Sequence, residues 1–249
     1  TMLKVRLIPV MTFNGISLVK TKQFANARTV GNPIQVARVF NTRNVDELVF
    51  IDIKATEQGR KINLALVKKI IDECFMPVTI GGGIQTFEDI NDLLRIGADK
   101  VLIKSMALKD PKFIIKVVEY FGSQCISISV DAILVEGEYW IHHENQERKL
   151  LETFINEMNQ CNVGEFVVNA VHNDGMMKGF DINLYDKVTQ LTSKPIVALG
   201  GAGDPSHFVS LAQTNYNGAL AASSIYHFTQ FTPNEVKLNL HKAKIPVRI

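Results

Sequence analysis

Two glycine clusters, each leaving an apolar run and each followed by a serine at the end of a second apolar run, carry the clearest chemistry in this chain. Residues 77–105 read PVTIGGGIQTFEDINDLLRIGADKVLIKS and residues 195–223 read PIVALGGAGDPSHFVSLAQTNYNGALAAS, and the two align without a gap 118 positions apart. A glycine turn between strand and helix lets backbone N–H groups close on an anion, and the helix dipole favours negative charge at the same point. Ser105 and Ser223 add a hydroxyl to each copy. The doubling favours this reading over glycines that serve tight turns alone. It predicts two similar anion sites half a chain apart, suited to a ligand phosphorylated at both ends.

Around these turns stand groups that could move protons or hold charge. Asp131 ends a run of apolar and small residues, where a carboxylate is costly unless solvated or functional, and it is the leading candidate for general acid–base work. Asp52 occupies a similar place and is either catalytic or a brace for neighbouring loops. Lys20 either folds over a phosphate or is solvated, and Lys54 and Lys104 bring two further cations to the same rim. Arg6, Glu47, Lys100 and Glu165 each stand at or next to the start of an apolar run. They either pair into a ring of charge or are ordinary strand-edge polarity. The six histidines form no metal-ligand motif, so no metal is expected; His142 and His143 adjoin on a predicted hairpin and should face opposite sides.

These groups need a frame that brings them together. Apolar, β-branched runs at 5–10, 47–53, 77–80, 100–103, 125–130, 165–169, 196–199 and 218–222 read as strands buried on both faces. Helix starts lie between them: Pro33, Asn63, Thr86 with Asp89, Asp110-Pro111, Asp204-Pro205 and Thr232-Pro233. Eight alternating units form a closed barrel or an open sheet. The duplication and the lack of a G-x-G-x-x-G opening turn favour the barrel. The expected fold class is α/β, a single (β/α)8 TIM barrel over residues 1–249 with an internal half-barrel duplication. Its active site would form where the strands end. The connection 11–32 is expected to be a long polar loop, functional or mobile, and 133–143 a hairpin about Gly137.

Composition narrows the partners. With 249 residues, 46% hydrophobic, 21% charged and a formal net charge of +2, the chain carries no basic stripe or tail for nucleic acid. No apolar run approaches a membrane span and no signal-peptide pattern opens the sequence. Three cysteines without C-x-x-C spacing read as buried free thiols of a cytoplasmic protein.

The segments RLIPV, DELVFIDI, GGGIQTFEDI, GADKV, FGSQ with SVDA, NDG, KGFD, ALGGAG and ALAASSIYHF, in this order, resemble the cyclase subunits (HisF) of imidazole glycerol phosphate synthase. The resemblance spans essentially the whole chain. It implies a barrel without cofactor that joins a glutaminase (HisH-like) subunit at its N-terminal face. Ammonia would pass through the barrel to a bis-phosphorylated ribonucleotide at the top. By position it implies phosphate grips at Gly83, Ser105, Asp174, Gly175, Gly201, Ala222 and Ser223, a substrate-loop lysine at Lys20, a catalytic aspartate at Asp131 and a gate of Arg6, Glu47, Lys100 and Glu165. One departure stands out: the family's other catalytic aspartate is replaced by Thr12. A hydroxyl is no acid or base near neutral pH, and such a group contributes roughly 10²–10⁴-fold. Lys54, Lys104, Asn169, Ala170 and Leu199 also depart from the family pattern. The chain thereby also resembles the paralogues that supply ammonia to a sugar amidotransferase making acetamidino sugars for surface polysaccharides.

Overall fold

A computed structural model describes residues 4–143 and 148–249. Eight parallel strands close on themselves: β1 (Leu7–Phe13), β4 (Leu48–Asp52), β5 (Val78–Gly81), β6 (Lys100–Ile103), β7 (Ile126–Val135), β9 (Glu165–Ala170), β10 (Ile196–Leu199) and β11 (Ala219–Ala222). Closure is made by β11 against β1, in register from Leu7↔Leu220 to Pro9↔Ala222. The remaining strands form two antiparallel additions, β2 (Leu18–Lys22) with β3 (Ala25–Gly31), and β8 (Glu138–Ile141) on β7. The expected TIM barrel is therefore present.

Among the described residues ten α-helices wrap it: α1 (Pro33–Thr42), α2 (Leu64–Asp72), α3 (Phe87–Arg95), α4 (Ser105–Lys109), α5 (Pro111–Phe121), α6 (Leu151–Gln160), α7 (Ile182–Leu191), α8 (Pro205–Ala212), α9 (Ser224–Phe228) and α10 (Pro233–Lys242). Their starts follow the local chemistry of the sequence. Asn32, Asn63, Asp110 and Asp204 accept first-turn N–H groups, and Thr86 with Asp89 and Thr232 with Glu235 form reciprocal capping boxes. Strand periodicity divides the apolar residues between two cores. Ile8, Val10, Val49, Leu102, Val167 and Val197 fill the barrel, while alternate neighbours such as Leu7, Met11, Leu48 and Phe50 pack under the helices.

Two connections differ from expectation. The segment 11–32 is a hairpin and not a loop: β1 continues to Phe13, Asn14 turns the chain by accepting the Ile16 and Ser17 N–H groups, and β2 and β3 return over the barrel mouth. Its tip, Gln23-Phe24, has both φ angles positive (48° and 65°). That is an unfavourable conformation for such residues, which persists only where surroundings enforce it. The second hairpin turns at Glu136-Gly137 as expected, but β7 runs unbroken into it. Asp131 consequently lies within a strand and not at its end.

Candidate active site at the barrel mouth

The strand ends surround a cavity of about 570 Å³. Its floor is apolar, with Val10, Ile51, Leu102, Val167 and Leu199, and its rim is charged. Gly83, Ser105, Lys104 and Asp131 line one side; Asp174, Ser223 and Lys20 line the other.

The glycines are there because nothing else fits. A Cβ at Gly82 would lie 2.2 Å from the Asp52 carbonyl oxygen, and one at Gly201 would lie 2.0 Å from that of Gly179. Both turns hold φ above 100°. Beside the first turn, the Ser105 hydroxyl lies 3.2 Å from Nε2 of His143. Beside the second, the Ser223 hydroxyl is buried and has no hydrogen-bond partner among the described residues. Gly175, Gly201 and Ala222 are not among the residues that line this cavity.

Each ionisable group at the rim is engaged. Asp131 Oδ2 is 2.5 Å from Lys104 Nζ, and the ammonium faces the Phe24 ring at 5.6 Å on its other side. Lys20 is buried and donates to both carboxylate oxygens of Asp174, at 2.7 and 2.9 Å. Burial pushes the Asp174 carboxyl upward; Lys20 opposes that and the charge of Asp131 reinforces it. Thr12 donates its hydroxyl to the Val19 carbonyl, which fastens β2 to β1. Asp52 has both oxygens taken by Arg60, at 2.6 and 2.8 Å, which matches the bracing alternative. Lys54 pairs with Glu57 at 2.5 Å.

The hairpin tip is clamped to the far side of the mouth. Gln23 donates its N–H to the Asp174 carbonyl and its side-chain amide to the His172 carbonyl. Phe24 meets the His142 ring edge-on at 5.5 Å. His142 and His143, expected on opposite faces, both line the cavity. Alternation ends with β8 at Ile141, so it does not govern them. A composition-based reading has no signal for that; the bend after the strand decides it.

At the opposite end Arg6, Glu47, Lys100 and Glu165 form a closed ring. Arg6 bonds Oε1 of Glu47 through Nη1 and Oε2 of Glu165 through Nη2, the latter at 2.9 Å. Lys100 lies 3.4 Å from Oε2 of Glu47 and 3.2 Å from Oε1 of Glu165, to which Ser127 also donates. Both glutamates are buried. Burial works against the Arg6 cation, but the two carboxylates outweigh it and raise its pKa.

Comparison with known proteins agrees with this architecture. Residues 6–232 match the family described as histidine biosynthesis protein. The chain is 38% identical over 253 residues to the imidazole glycerol phosphate synthase subunit HisF of Staphylococcus saprophyticus, covering 99% of this chain and 100% of that one. It is 35% identical over 254 residues to HisF of Bacillus cereus (strain AH187), with full coverage of both, and 37% identical over 252 residues to HisF of Staphylococcus epidermidis (strain RP62A), with 99% and 100% coverage. The doubled glycine turns, the closed barrel and these full-length similarities together make the chain a member of the histidine biosynthesis protein family, with the character of a HisF-like cyclase subunit.

Proposed function

We propose that this barrel is the HisF-like subunit of a glutamine-dependent complex of the imidazole glycerol phosphate synthase type. A glutaminase docks on the N-terminal face, and ammonia enters through the ring of Arg6, Glu47, Lys100 and Glu165. It is used at the other end against a phosphorylated small molecule held by Gly83 and Ser105 on one side and by Asp174 and Ser223 on the other, with Gly175, Gly201 and Ala222 shaping the backbone next to them. The observation that supports this reading is the presence, in one barrel, of a closed ring of paired charges at one mouth and doubled glycine turns at the other. Ammonia must stay neutral to act as a nucleophile, so it needs a path closed to water. Four charges that satisfy one another close that path and open by displacement of one long side chain.

The acceptor is a second question. Thr12 is a hydroxyl engaged with Val19, so one member of the acid–base pair required for ring closure on a bis-phosphorylated ribonucleotide is missing, and Asp131 is paired with Lys104. This favours an ammonia-delivering paralogue whose acceptor belongs to a sugar amidotransferase. The competing reading, a working cyclase, is favoured by the 35–38% identity to HisF over the full chain. Ammonia-dependent turnover of the bis-phosphorylated precursor separates them. The expected result is a rate at least about 10²-fold below that of a cyclase with both aspartates; a comparable rate restores the cyclase assignment. Co-purification with a co-expressed HisH-like glutaminase from the same organism tests the complex itself, and absence of any complex overturns the proposal.

A further inference from the structure

We propose that Lys104 is a specificity-determining cation that exchanges its Asp131 partner for the ligand's phosphate, so that filling the first glycine cradle uncovers the Asp131 carboxylate. This rests on the reading that the mouth takes a phosphorylated ligand.

The placement follows from strand register. Gly81 pairs with Leu102 across β5 and β6, so Gly83 and Lys104 each stand two residues beyond a shared rung. On the other side Ile103 pairs with Ile128 across β6 and β7, which places Lys104 beside the strand that carries Asp131. Lys104 is therefore the residue between the first cradle and the carboxylate, and Gly83, Lys104, Ser105 and Asp131 all line one cavity. Its ammonium is a compact charge on a flexible four-carbon stem, able to serve either neighbour. The Lys104 side chain is 31% exposed against 10% for Asp131, so the cation is the member of the pair with room to move.

A phosphate at Gly83 and Ser105 offers Lys104 more negative charge than one carboxylate does. Asp131 then loses its cation while Asp174, whose own cation Lys20 is fully engaged, remains a negative neighbour. The freed carboxylate then faces the bound ligand without its cation. Lys104 thus couples recognition of phosphate to exposure of the Asp131 carboxylate.

The test is calorimetric titration of the intact protein with inorganic phosphate, alongside Lys104→Asn, Asp131→Asn and the double variant. Lys104→Asn is expected to weaken phosphate about tenfold. Asp131→Asn is expected to tighten it several-fold, because the competitor for the ammonium is gone, and the double variant should behave as Lys104→Asn alone. Lys104→Arg should retain binding to within a few-fold. If Asp131→Asn tightens phosphate equally with and without Lys104, simple relief of repulsion explains it and the exchange is wrong. Unchanged affinity in Lys104→Asn overturns the inference while leaving the phosphate reading intact. No phosphate binding by the unaltered protein overturns both.

Discussion

Thr12 shows how one residue can be missing from the chemistry and still be needed. Its hydroxyl ties β2 to β1 through the Val19 carbonyl. A carboxylate in its place would face that carbonyl oxygen, so Thr12→Asp should loosen the hairpin by about 1–3 kcal/mol and not simply restore an acid. Amide hydrogen exchange across 18–31 should quicken in this variant, whereas unchanged protection would show that the tether is idle. His227 offers a pH readout at the same scale. Burial, helped by the charge of Lys20, pushes its imidazole down to about 4 from an ordinary 6.5. Below about pH 6.5 the unfolded chain takes up a proton that the native chain refuses. Stability should therefore fall as pH drops through that window, by up to about 1.4 kcal/mol per unit, and level off below about 4. Melting curves of His227→Gln between pH 7 and 5 should show a weaker pH dependence than the unaltered protein.

Among the elements, the β2–β3 hairpin sets the state of the mouth. Its hold on the far side runs through Lys20 with Asp174, Gln23 with two carbonyls, and the close approach of Gly175, where a Cβ would come within 2.3 Å of the Thr21 oxygen. Lys20→Met strands a buried carboxylate, a loss of about 3–5 kcal/mol, and should both lower the melting temperature and expose 18–31 to proteolysis. Restoration by adding Asp174→Asn would assign the loss to the stranded charge; failure to recover any stability would count against it. The legibility of the elements divides along the same line. Asn63, Thr86, Asp110 and Thr232 mark helix starts because a cap is a contact within one turn of chain. The Gln23-Phe24 turn carries no such mark: its conformation is imposed by Asp174, His172 and His142, about 150 and 120 residues away. Likewise the sequence places Asp131 at the end of a strand, whereas β7 continues past it to Val135 because β8 pairs with its extension, a partner that the local pattern does not mark.

Across the whole molecule, two ends with different chemistry share one barrel wall. The glycine turns are visible in sequence because they repeat; spacing leaves the charge ring as one of two alternatives, and it is formed where β1, β4, β6 and β9 close and bring Arg6, Glu47, Lys100 and Glu165 to one level. Strand-edge charges of this kind look the same in any barrel until closure pairs them. Removing Lys100 leaves Glu47 and Glu165 sharing Arg6, at a cost on the order of 1–3 kcal/mol. Lys100→Ala is expected to lower the fraction of glutamine-derived ammonia that reaches the acceptor while phosphate affinity at the far end stays unchanged. Glutaminase and acceptor rates measured together with the docked glutaminase check this, and unchanged coupling would remove the ring from the path.

The second hairpin has a practical consequence of an optical kind. The chain has one tryptophan, Trp140, on β8, two residues before the histidine that stacks on the tip of the first hairpin. Its emission therefore comes from a single fluorophore close in the chain to the contact between the two hairpins, without interference from any other indole. Any event that lifts Phe24 from His142 should register as a shift in that emission, so opening of the mouth can be timed in stopped flow on unlabelled protein.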